Sequence, residues 1–356
     1  RVDLPPGGTG LPLAFIDPGL GAAFPNGALY TTSYTDFSQV PAPCFAVGGG
    51  AFVSPNGAQC SDEISLEDKF LTWSTKLQYD LTDEINLYAT IGTGYKGGGV
   101  DNGGNTFVRE EKIVENEDSI AYELGSKMRL LDGRMTLNLA LFLNQFDDLQ
   151  VGAQSPDTGV IVVRNAAEAE TKGIEADLVF AIDDSWTVGG SIALLEAEFK
   201  DFPGAGCGAY ASWVDLTGTG LYGQTTARCV GSFDAGGNDL PSAPGYAGNA
   251  FVEYGAPLGS TGWEFDGNLN VSFRDKSFAF GDFANEKERE LDDFVILNAM
   301  LTFTHESSGV RVSLVGSNLT DEMPILGNQN NPVTGGQLSA WVMRPREYGV
   351  EVGYSF

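Results

Sequence analysis

Two pairs of neighbouring carboxylates and a single histidine are the residues whose types could support acid–base chemistry. The pairs are Asp147 with Asp148 and Asp183 with Asp184, and the histidine is His305. Adjacent residues of a β-strand point to opposite faces, so the first pair would be separated if it lies in a strand. The second pair and His305 fall at or beside short predicted turns rather than in a cleft. We interpret all five as solvated strand ends and predict that the chain is not an enzyme.

Patterns that bind phosphate or metal ions are incomplete in this sequence. The glycine run 97–99 follows Lys96 but opens no helix, which a phosphate-binding loop requires. Acidic runs occur at 108–118 and 286–293, yet neither contains the Asp-x-Asp-x-Asp-Gly pattern of a calcium loop. Solvation and mutual repulsion of these carboxylates is the simpler interpretation, and divalent cation binding by the loops is the alternative. We expect no cofactor and no resident metal.

The chain carries a large excess of negative charge. It has 48 acidic and 20 basic residues, for a formal net charge of -28. Because binding to nucleic acid requires clustered lysine and arginine, this balance argues against a nucleic-acid partner.

The elements that must position these residues show a period of two. At the C-terminus Tyr348, Val350, Val352, Tyr354 and Phe356 alternate with Glu, Gly and Ser. The same alternation recurs at 135–144, 174–182, 263–273 and 295–304. Similar runs start near Lys69, Ile85, Ser119, Ser185, Tyr246 and Val310. The pattern predicts about eleven strands of roughly ten or more residues, the length that crosses a bilayer when tilted.

The connections between these strands alternate between short and long. The short ones join Leu81 to Ile85, Leu131 to Met135, Ile182 to Trp186 and His305 to Val310, and they predict hairpin turns. The long ones lie at about 96–118, 148–170, 200–243, 274–290 and 320–343. Compact soluble domains rarely carry several loops of this length, whereas outer-membrane barrels pair short periplasmic turns with long external loops. No run of about eighteen apolar residues is present, which excludes a helical membrane protein.

Aromatic residues fall where the strands would meet the membrane surface. An aromatic belt at this level is typical of membrane proteins, and ordinary strand packing is the alternative for each residue. The candidates are Trp73, Tyr79, Tyr88, Trp186, Tyr254, Trp263 and Tyr354. The sequence thus predicts an all-β, multi-pass transmembrane antiparallel barrel in the outer membrane of a Gram-negative bacterium, with membrane lipid and lipopolysaccharide around it.

Four cysteines fall in two predicted external loops. Cys44 and Cys60 share one loop and Cys207 and Cys229 share the other, without a Cys-x2-Cys metal spacing. Because the cell envelope is oxidising, two disulfides that close these loops are the natural interpretation, although other pairings remain possible. Each would contribute about 3 kcal/mol on a chain-entropy model.

Several motifs, in this order, resemble a TonB-dependent outer-membrane transporter. They are Glu117-Asp-Ser-Ile-Ala-Tyr-Glu-Leu-Gly-Ser-Lys, Leu131-Asp-Gly-Arg-Met-Thr-Leu-Asn-Leu-Ala-Leu-Phe, Asp147-Asp-Leu-Gln, Asn165-Ala-Ala-Glu-Ala-Glu-Thr-Lys-Gly-Ile-Glu-Ala-Asp, Gly316-Ser-Asn-Leu-Thr-Asp-Glu and the closing Pro345-Arg-Glu-Tyr-Gly-Val-Glu-Val-Gly-Tyr-Ser-Phe. Together they cover most of 69–356. The resemblance implies active import of a scarce, bulky nutrient, such as a siderophore, glycan, peptide or cobalamin-like solute, energised by the TonB–ExbB–ExbD complex. It also implies that Tyr354 and Phe356 form the C-terminal signal for the barrel assembly machinery.

The same resemblance sets an expectation for domain organisation. Transporters of this family form barrels of about 22 strands around an N-terminal plug. About eleven strands predict that 69–356 is the C-terminal half of such a barrel and that 1–68 is an external loop region before the first strand. We expect the plug, with its TonB box, and the remaining strands to be partners outside this chain, because open sheet edges are costly in lipid.

Aromatic residues of the predicted loops are the candidates for contacting a substrate. Their rings could stack on a sugar or on an aromatic group of a siderophore, and packing within the loops is the alternative. They are Phe107, Tyr210, Trp213, Tyr222, Phe278, Phe280 and Trp341. Three other functions share the strand pattern: a passive porin, a structural or adhesive surface barrel, and a secreted β-sandwich lectin.

Overall fold

Long antiparallel strands make up most of the chain. The computed structural model describes residues 69–101, 113–154, 161–206, 232–331 and 337–355, together with the backbone of 45–47 and 51–53. Its strands are β1 (Phe45–Val47), β2 (Ala51–Val53), β3 (Ser74–Asp80), β4 (Ile85–Lys96), β5 (Gly99–Val100), β6 (Ile113–Val114), β7 (Glu117–Leu130), β8 (Met135–Gln154), β9 (Ile161–Ala181), β10 (Trp186–Asp201), β11 (Ala205–Gly206), β12 (Ser232–Phe233), β13 (Tyr246–Pro257), β14 (Trp263–Arg274), β15 (Ser277–Phe278), β16 (Glu290–Leu291), β17 (Phe294–His305), β18 (Val310–Ser317), β19 (Ile325–Asn331), β20 (Gln337–Val342) and β21 (Glu347–Tyr354).

Eleven of these strands form one antiparallel sheet. Its order is β21-β18-β17-β14-β13-β10-β9-β8-β7-β4-β3. Each long strand thus pairs with the long strands before and after it in the chain, and β3 and β21 form the two edges. This confirms the predicted strand count. A short 3-10 helix spans Lys287–Arg289, and no helix within the described ranges is long and apolar enough to cross a membrane.

The sheet has one apolar face and one polar face. On β8, the side chains of Leu137, Leu139 and Leu141 lie in register with Leu178, Ala176 and Ile174 of β9. These residues, and their equivalents on the other long strands, form the apolar face. The polar face carries the alternate residues, such as Asn138 of β8 and Asp177 of β9. Because successive residues of a strand point to opposite sides, the period of two in the sequence produces this division directly.

The sheet has a short-turn end and a long-loop end. At the short-turn end, Leu131 and Asp132 both have positive φ angles, 56° and 57°. Two successive positive φ values are typical of a type I′ turn, and Gly133 follows with φ 84°. This confirms the hairpin turn predicted for this connection. In the next short turn, Oδ1 of Asp183 accepts hydrogen bonds of 2.8 Å from the backbone N–H groups of Ser185 and Trp186. This confirms that Asp183 and Asp184 belong to a turn.

Three details of the prediction are wrong. The loop predicted at 148–170 is mostly strand, because β8 continues to Gln154 and β9 begins at Ile161. The first long strand begins at Ser74 rather than near Lys69. Tyr88 does not belong to an aromatic belt, because it lies in register with Gln78 and Gly125 on the polar face.

Four of the long connections contain small sheets of their own. They are the pairs β5–β6, β11–β12, β15–β16 and β19–β20, and β1 pairs with β2 nearer the N-terminus. The first 68 residues, apart from the backbone of β1 and β2, lie outside the described residues.

Candidate functional site

Hydrogen-bonded polar side chains cover the polar face. Oη of Tyr88 donates to Oε1 of Glu123 over 2.5 Å, and Nδ2 of Asn138 donates to Oδ1 of Asp177 over 2.9 Å. Further along the sheet, Asn268 donates to Glu253 over 3.1 Å. These pairs join neighbouring strands, and the carboxylates remain exposed. This face can therefore contact a polar partner or solute.

Acidic residues outnumber basic ones on this face. The acids include Asp80, Glu117, Glu123, Glu175, Asp177, Glu253, Glu264, Asp266, Glu347 and Glu351, and the bases include Lys76, Lys96, Lys127, Arg129, Arg274 and Arg311. A face that carries mostly negative charge attracts cations and repels anions, and the effect is strongest where water is largely excluded.

Aromatic rings on the polar face lie over glycines of the next strand. Phe142 covers Gly173, where an added Cβ would approach the ring to 2.7 Å, and Phe251 covers Gly189 at 2.5 Å. Because glycine has no side chain, the ring can lie flat on the backbone. These contacts hold the rings close to the backbone of the neighbouring strand.

At the long-loop end, two connections share a hydrophobic cluster. Phe199 and Phe202, from β10 and the residue after it, contact Phe283 from the β15–β16 connection, with ring centroids 5.8 and 5.2 Å away. Phe202 is fully buried. Ala167, Ala169, Ala205 and Ala235 complete the cluster. We call this assembly the loop core.

Backbone and amide hydrogen bonds join the same two connections. Nδ2 of Asn238 donates to the carbonyl of Phe283 over 2.7 Å. Oδ1 of Asn285 accepts from the N–H of Asp239 over 2.7 Å, and its Nδ2 donates back to the carbonyl of Asp239 over 3.1 Å. The β10–β13 and β14–β17 connections therefore form one packed unit.

This unit presents Phe280 to the outside. Phe280 is 88% exposed although Ala279 and Asp282, on either side of the turn, are buried. The turn closes through an N–H···O bond of 3.0 Å from Asp282 to Ala279, with Gly281 at φ 74°. Nη2 of Arg289 donates to the carbonyl of Phe280 over 3.0 Å. The ring is thus exposed while its backbone is held.

A second pair of amides fixes the connection between β4 and β7. Nδ2 of Asn165 donates to the carbonyls of Glu115, Asn116 and Asp148, at 2.9, 3.1 and 2.9 Å. Nε2 of Gln150 donates to the carbonyls of Gly97 and Glu115. We did not predict a role for either amide, although both lie in motifs that carry the family resemblance.

The structure describes three of the seven predicted loop aromatics. Phe278 and Phe280 lie on one hairpin, Phe278 half-buried and Phe280 exposed. Trp341 is 57% exposed and lies against Gly327 within the neighbouring β19–β20 hairpin. Nε of Arg289 donates to Oδ1 of Asn328 on the same hairpin. Phe107, Tyr210, Trp213 and Tyr222 lie outside the described residues. So do Cys44, Cys60, Cys207 and Cys229.

At the C-terminal end, Tyr354 lies on the apolar face opposite Val310, while Phe356 lies outside the described residues. In the described part of the chain, no three His, Cys, Asp or Glu residues are grouped so as to hold a metal ion.

A cluster of ion pairs lies beyond the apolar side chains of β8, β9 and β10, toward the long-loop end. Nζ of Lys172 is 2.6 Å from Oε1 of Glu196, and Nζ of Lys200 is 3.3 Å from Oε1 of Glu170. Lys200 also pairs with Glu198. The hydrogen bond from Gln145, followed by the charge of Lys200, lowers the pKa of Glu170. Hydrogen bonds to Glu196 and Glu198 raise the pKa values of Lys172 and Lys200.

Comparisons with known proteins relate this sheet to one family. A family model described as "TonB dependent receptor-like, beta-barrel" matches residues 30–319. The ferric-pyoverdine 358 receptor of Pseudomonas putida is 33% identical over 113 residues, which cover 31% of this chain and 13% of that protein. The probable TonB-dependent siderophore receptor PiuA of Acinetobacter baumannii is 22% identical over 259 residues, 71% of this chain and 30% of that protein.

A solved structure shares the fold. The ferric yersiniabactin uptake receptor FyuA from Yersinia pestis matches with a TM-score of 0.57 at 20% identity, over 78% of this chain and 36% of that one. This chain covers well under half of each of these relatives. The long antiparallel strands and the family match together confirm the predicted barrel and its outer-membrane location. The chain belongs to the TonB-dependent receptor family and contributes an eleven-stranded sheet to an outer-membrane β-barrel.

Proposed function

We propose that this chain forms part of the wall of an outer-membrane transporter that imports a scarce, bulky nutrient with energy from the TonB–ExbB–ExbD complex. The family match over residues 30–319 is the observation that carries the proposal. The polar face supplies a wall for an aqueous lumen, and the packed connections at the long-loop end supply an outer surface that can receive a solute.

A companion segment is part of the proposal. In the described sheet, β3 and β21 each have one neighbour, and an unpaired backbone edge in lipid costs several kcal/mol per group. We infer that residues 69–356 act as the C-terminal half of the barrel, that residues 1–68 form an external loop region, and that further strands and an N-terminal plug complete the transporter.

The substrate that we propose is a metal chelate of the siderophore type. Three of the relatives are named as a ferric-pyoverdine receptor, a siderophore receptor and a metal-pseudopaline receptor. The acidic excess on the polar face favours a chelate that is neutral or positively charged over a highly anionic one. A glycan, peptide or cobalamin-like solute is the alternative within the same transport mechanism.

Uptake of labelled ferric chelates by intact, iron-starved cells tests this function. Cells with the gene should accumulate a neutral or cationic chelate, and accumulation should stop when the gene or TonB is deleted. Uptake that continues without TonB would indicate a passive porin. Growth and uptake that are unaffected by deletion of the gene, across all four solute classes, would indicate a structural or adhesive barrel.

We propose that Phe280 contacts the substrate. Its ring is exposed on a fixed backbone, so stacking would cost little additional ordering. Phe280→Leu retains an apolar side chain but removes the ring, and we expect substrate affinity to fall about tenfold, which corresponds to about 1.4 kcal/mol. Met323→Leu, at another exposed apolar position, is the control. Equal affinities of the wild type and Phe280→Leu would remove Phe280 from the site.

A further inference from the structure

An apolar groove crosses the apolar face of the sheet. It has a volume of about 240 Å³ and lies between Trp186 and Tyr254 on one side and Leu301 on the other. Its floor is formed where small residues replace large ones, at Gly267 of β14 and Ala299 of β17. A Cβ on Gly267 would lie 3.3 Å from Cζ of Phe265 and 3.6 Å from Cδ2 of Leu301, so a larger side chain there would extend into the groove. The groove therefore depends on the small residues at these two positions.

The groove lies over the middle strands of the sheet, away from its two edges. Its walls come from β10, β13, β14 and β17, and each of these strands has both of its neighbours in the eleven-stranded sheet. It is therefore not a product of the open edges at β3 and β21. The apolar face of an outer-membrane barrel contacts lipid, so hydrocarbon is the medium that fills the groove.

The position of the groove matches one leaflet of the bilayer. Trp186 is the first residue of β10 and directly follows a short turn. Tyr254 lies three residues before the end of β13, where the next short turn begins. Phe265, Gly267, Asn268 and Leu269 of β14 line its length, and the run 265–269 spans about 13 Å along the strand at about 3.4 Å per residue. With a strand tilt of about 40° this corresponds to about 10 Å of depth, which fits within one half of a hydrocarbon core of about 30 Å. Because short turns are periplasmic, this is the periplasmic leaflet.

The short-turn end of the groove offers polar groups to a lipid headgroup. The ring of Trp263 lies 4.9 Å from that of His305, and Nδ1 of His305 is 2.8 Å from Oγ of Ser308. Amphipathic rings at this level are typical of membrane interfaces. The adjoining turns carry the carboxylates of Asp183, Asp184 and Glu306. One cation lies beside them, Arg134, whose Nη1 donates to the carbonyl of Ile182 over 2.9 Å, so the charge at this end is mainly negative. A headgroup with an ammonium complements these carboxylates, whereas an anionic headgroup is repelled.

We propose that this groove is a binding site for one acyl chain of a zwitterionic, amine-bearing phospholipid from the periplasmic leaflet. The acyl chain lies over Gly267 and Ala299, beside Trp186 and Tyr254, and the headgroup lies at the His305 end. The site is independent of the transported substrate.

Native mass spectrometry of the complex that contains this chain, extracted from outer membranes in mild detergent, tests the proposal. We expect the wild type to retain one phosphatidylethanolamine that Gly267→Leu and Ala299→Leu lose, since both changes fill the groove. Ala176→Leu enlarges a side chain elsewhere on the apolar face and should retain the lipid. Equal retention by all four proteins would overturn the proposal, as would lipopolysaccharide or phosphatidylglycerol as the retained lipid.

A second measurement does not depend on the groove-filling variants. Brominated phospholipids quench tryptophan fluorescence on contact, and the difference between wild type and Trp186→Phe isolates the signal of Trp186. In vesicles of phosphatidylglycerol with a minor brominated component, we expect brominated phosphatidylethanolamine to quench this signal more than brominated phosphatidylglycerol at the same mole fraction. Equal quenching by the two lipids would mean that the groove holds only bulk lipid.

Discussion

Tyr88 and Glu123 join two strands of the barrel wall through a hydrogen bond of 2.5 Å between the phenol and the carboxylate. The ring of the same tyrosine lies over Gly125, two residues further along β7. A Cβ atom on Gly125 would lie 2.5 Å from Cζ of Tyr88. The position of the Tyr88 side chain therefore depends on two residues of the neighbouring strand, the carboxylate of Glu123 and the missing side chain of Gly125.

The first prediction concerns that glycine. Gly125→Ala should force the ring of Tyr88 off the wall and break its bond to Glu123, at a cost of about 1–3 kcal/mol for the overpacked contact. The midpoint of unfolding in denaturant, followed by heat-modifiable gel migration, measures the loss. Gly349→Ala is the matched control, because its added Cβ would meet nothing closer than 4.0 Å. Equal midpoints for the two variants would contradict the prediction.

Asn318 carries the second prediction. It is buried with φ 50°, and its Nδ2 donates to the carbonyls of Glu322 and Arg344 over 2.6 and 2.8 Å. Asn318→Ala would leave these carbonyls without their donor, at about 1–3 kcal/mol each. We expect a lower denaturation midpoint and faster hydrogen exchange after β18. Asn270→Ala, which removes two longer bonds, one of 3.5 Å to the carbonyl of Ala250 and one of 3.3 Å from Oγ of Ser272, should change both measurements far less.

The third prediction separates the loop core from the barrel. Phe202→Ala empties the centre of the loop core and should destabilise it by about 3–5 kcal/mol. We expect rapid proteolysis within 201–206 and 232–245 while the sheet keeps its heat-modifiable migration. Phe280→Ala, which removes an exposed ring, is the control and should leave proteolysis unchanged. Loss of the whole barrel in Phe202→Ala would show that the two units fold together.

The ion pairs at the long-loop end of β8–β10 give a pH prediction. The folded pKa of Glu170 is lowered, so its contribution is present above its unfolded pKa, about 4.3, and is lost as the pH falls through the folded value. Lys172 and Lys200 have raised pKa values, so their contributions are present below about 10.4 and are lost as the pH rises through the folded values.

Hydrogen exchange of this strand extension should therefore show constant protection between about pH 5 and pH 10, after correction for the intrinsic exchange rate. Protection should decrease outside this window at both ends. The double variant Glu170→Gln with Lys200→Met should lose most of the acid-side decrease. A profile that is identical in this variant would exclude the ion pairs as the cause.

The strands were predictable from sequence because a membrane barrel places different solvents on its two faces. Ile174, Ala176 and Leu178 must all face lipid, and a period of two follows. The same logic failed at 148–170, where the pairing shifts between Phe146 and Leu149 and Asp148 has φ 54°. This β-bulge interrupts the alternation, so a strand that continues beyond it resembles a loop in the sequence.

The candidate site was less predictable, because its contacts join residues far apart in the chain. Phe199 lies near the end of β10 and Phe283 in the β14–β17 connection, and each alone resembles any other strand or loop aromatic. The residue type of Tyr88 favours an aromatic belt, whereas its register with Gln78 and Gly125 places it on the polar face. The side-chain amides of Asn165 and Gln150 donate to backbone carbonyls. Such contacts leave no pattern in the sequence, because every residue has a carbonyl. Phe280 was predicted as a loop aromatic, but the fixed turn that exposes it was not.

The order of the eleven-stranded sheet follows the chain without a crossover, from β3 to β21. Every long strand therefore pairs with the next long strand in the chain, and at the short turns the two partners are only a few residues apart. Closing a short hairpin loses little chain entropy, so the contact order within the sheet is low for so large a β-structure. The described sheet can therefore grow strand by strand from either edge, because no pair of neighbours within it is separated by another of its strands.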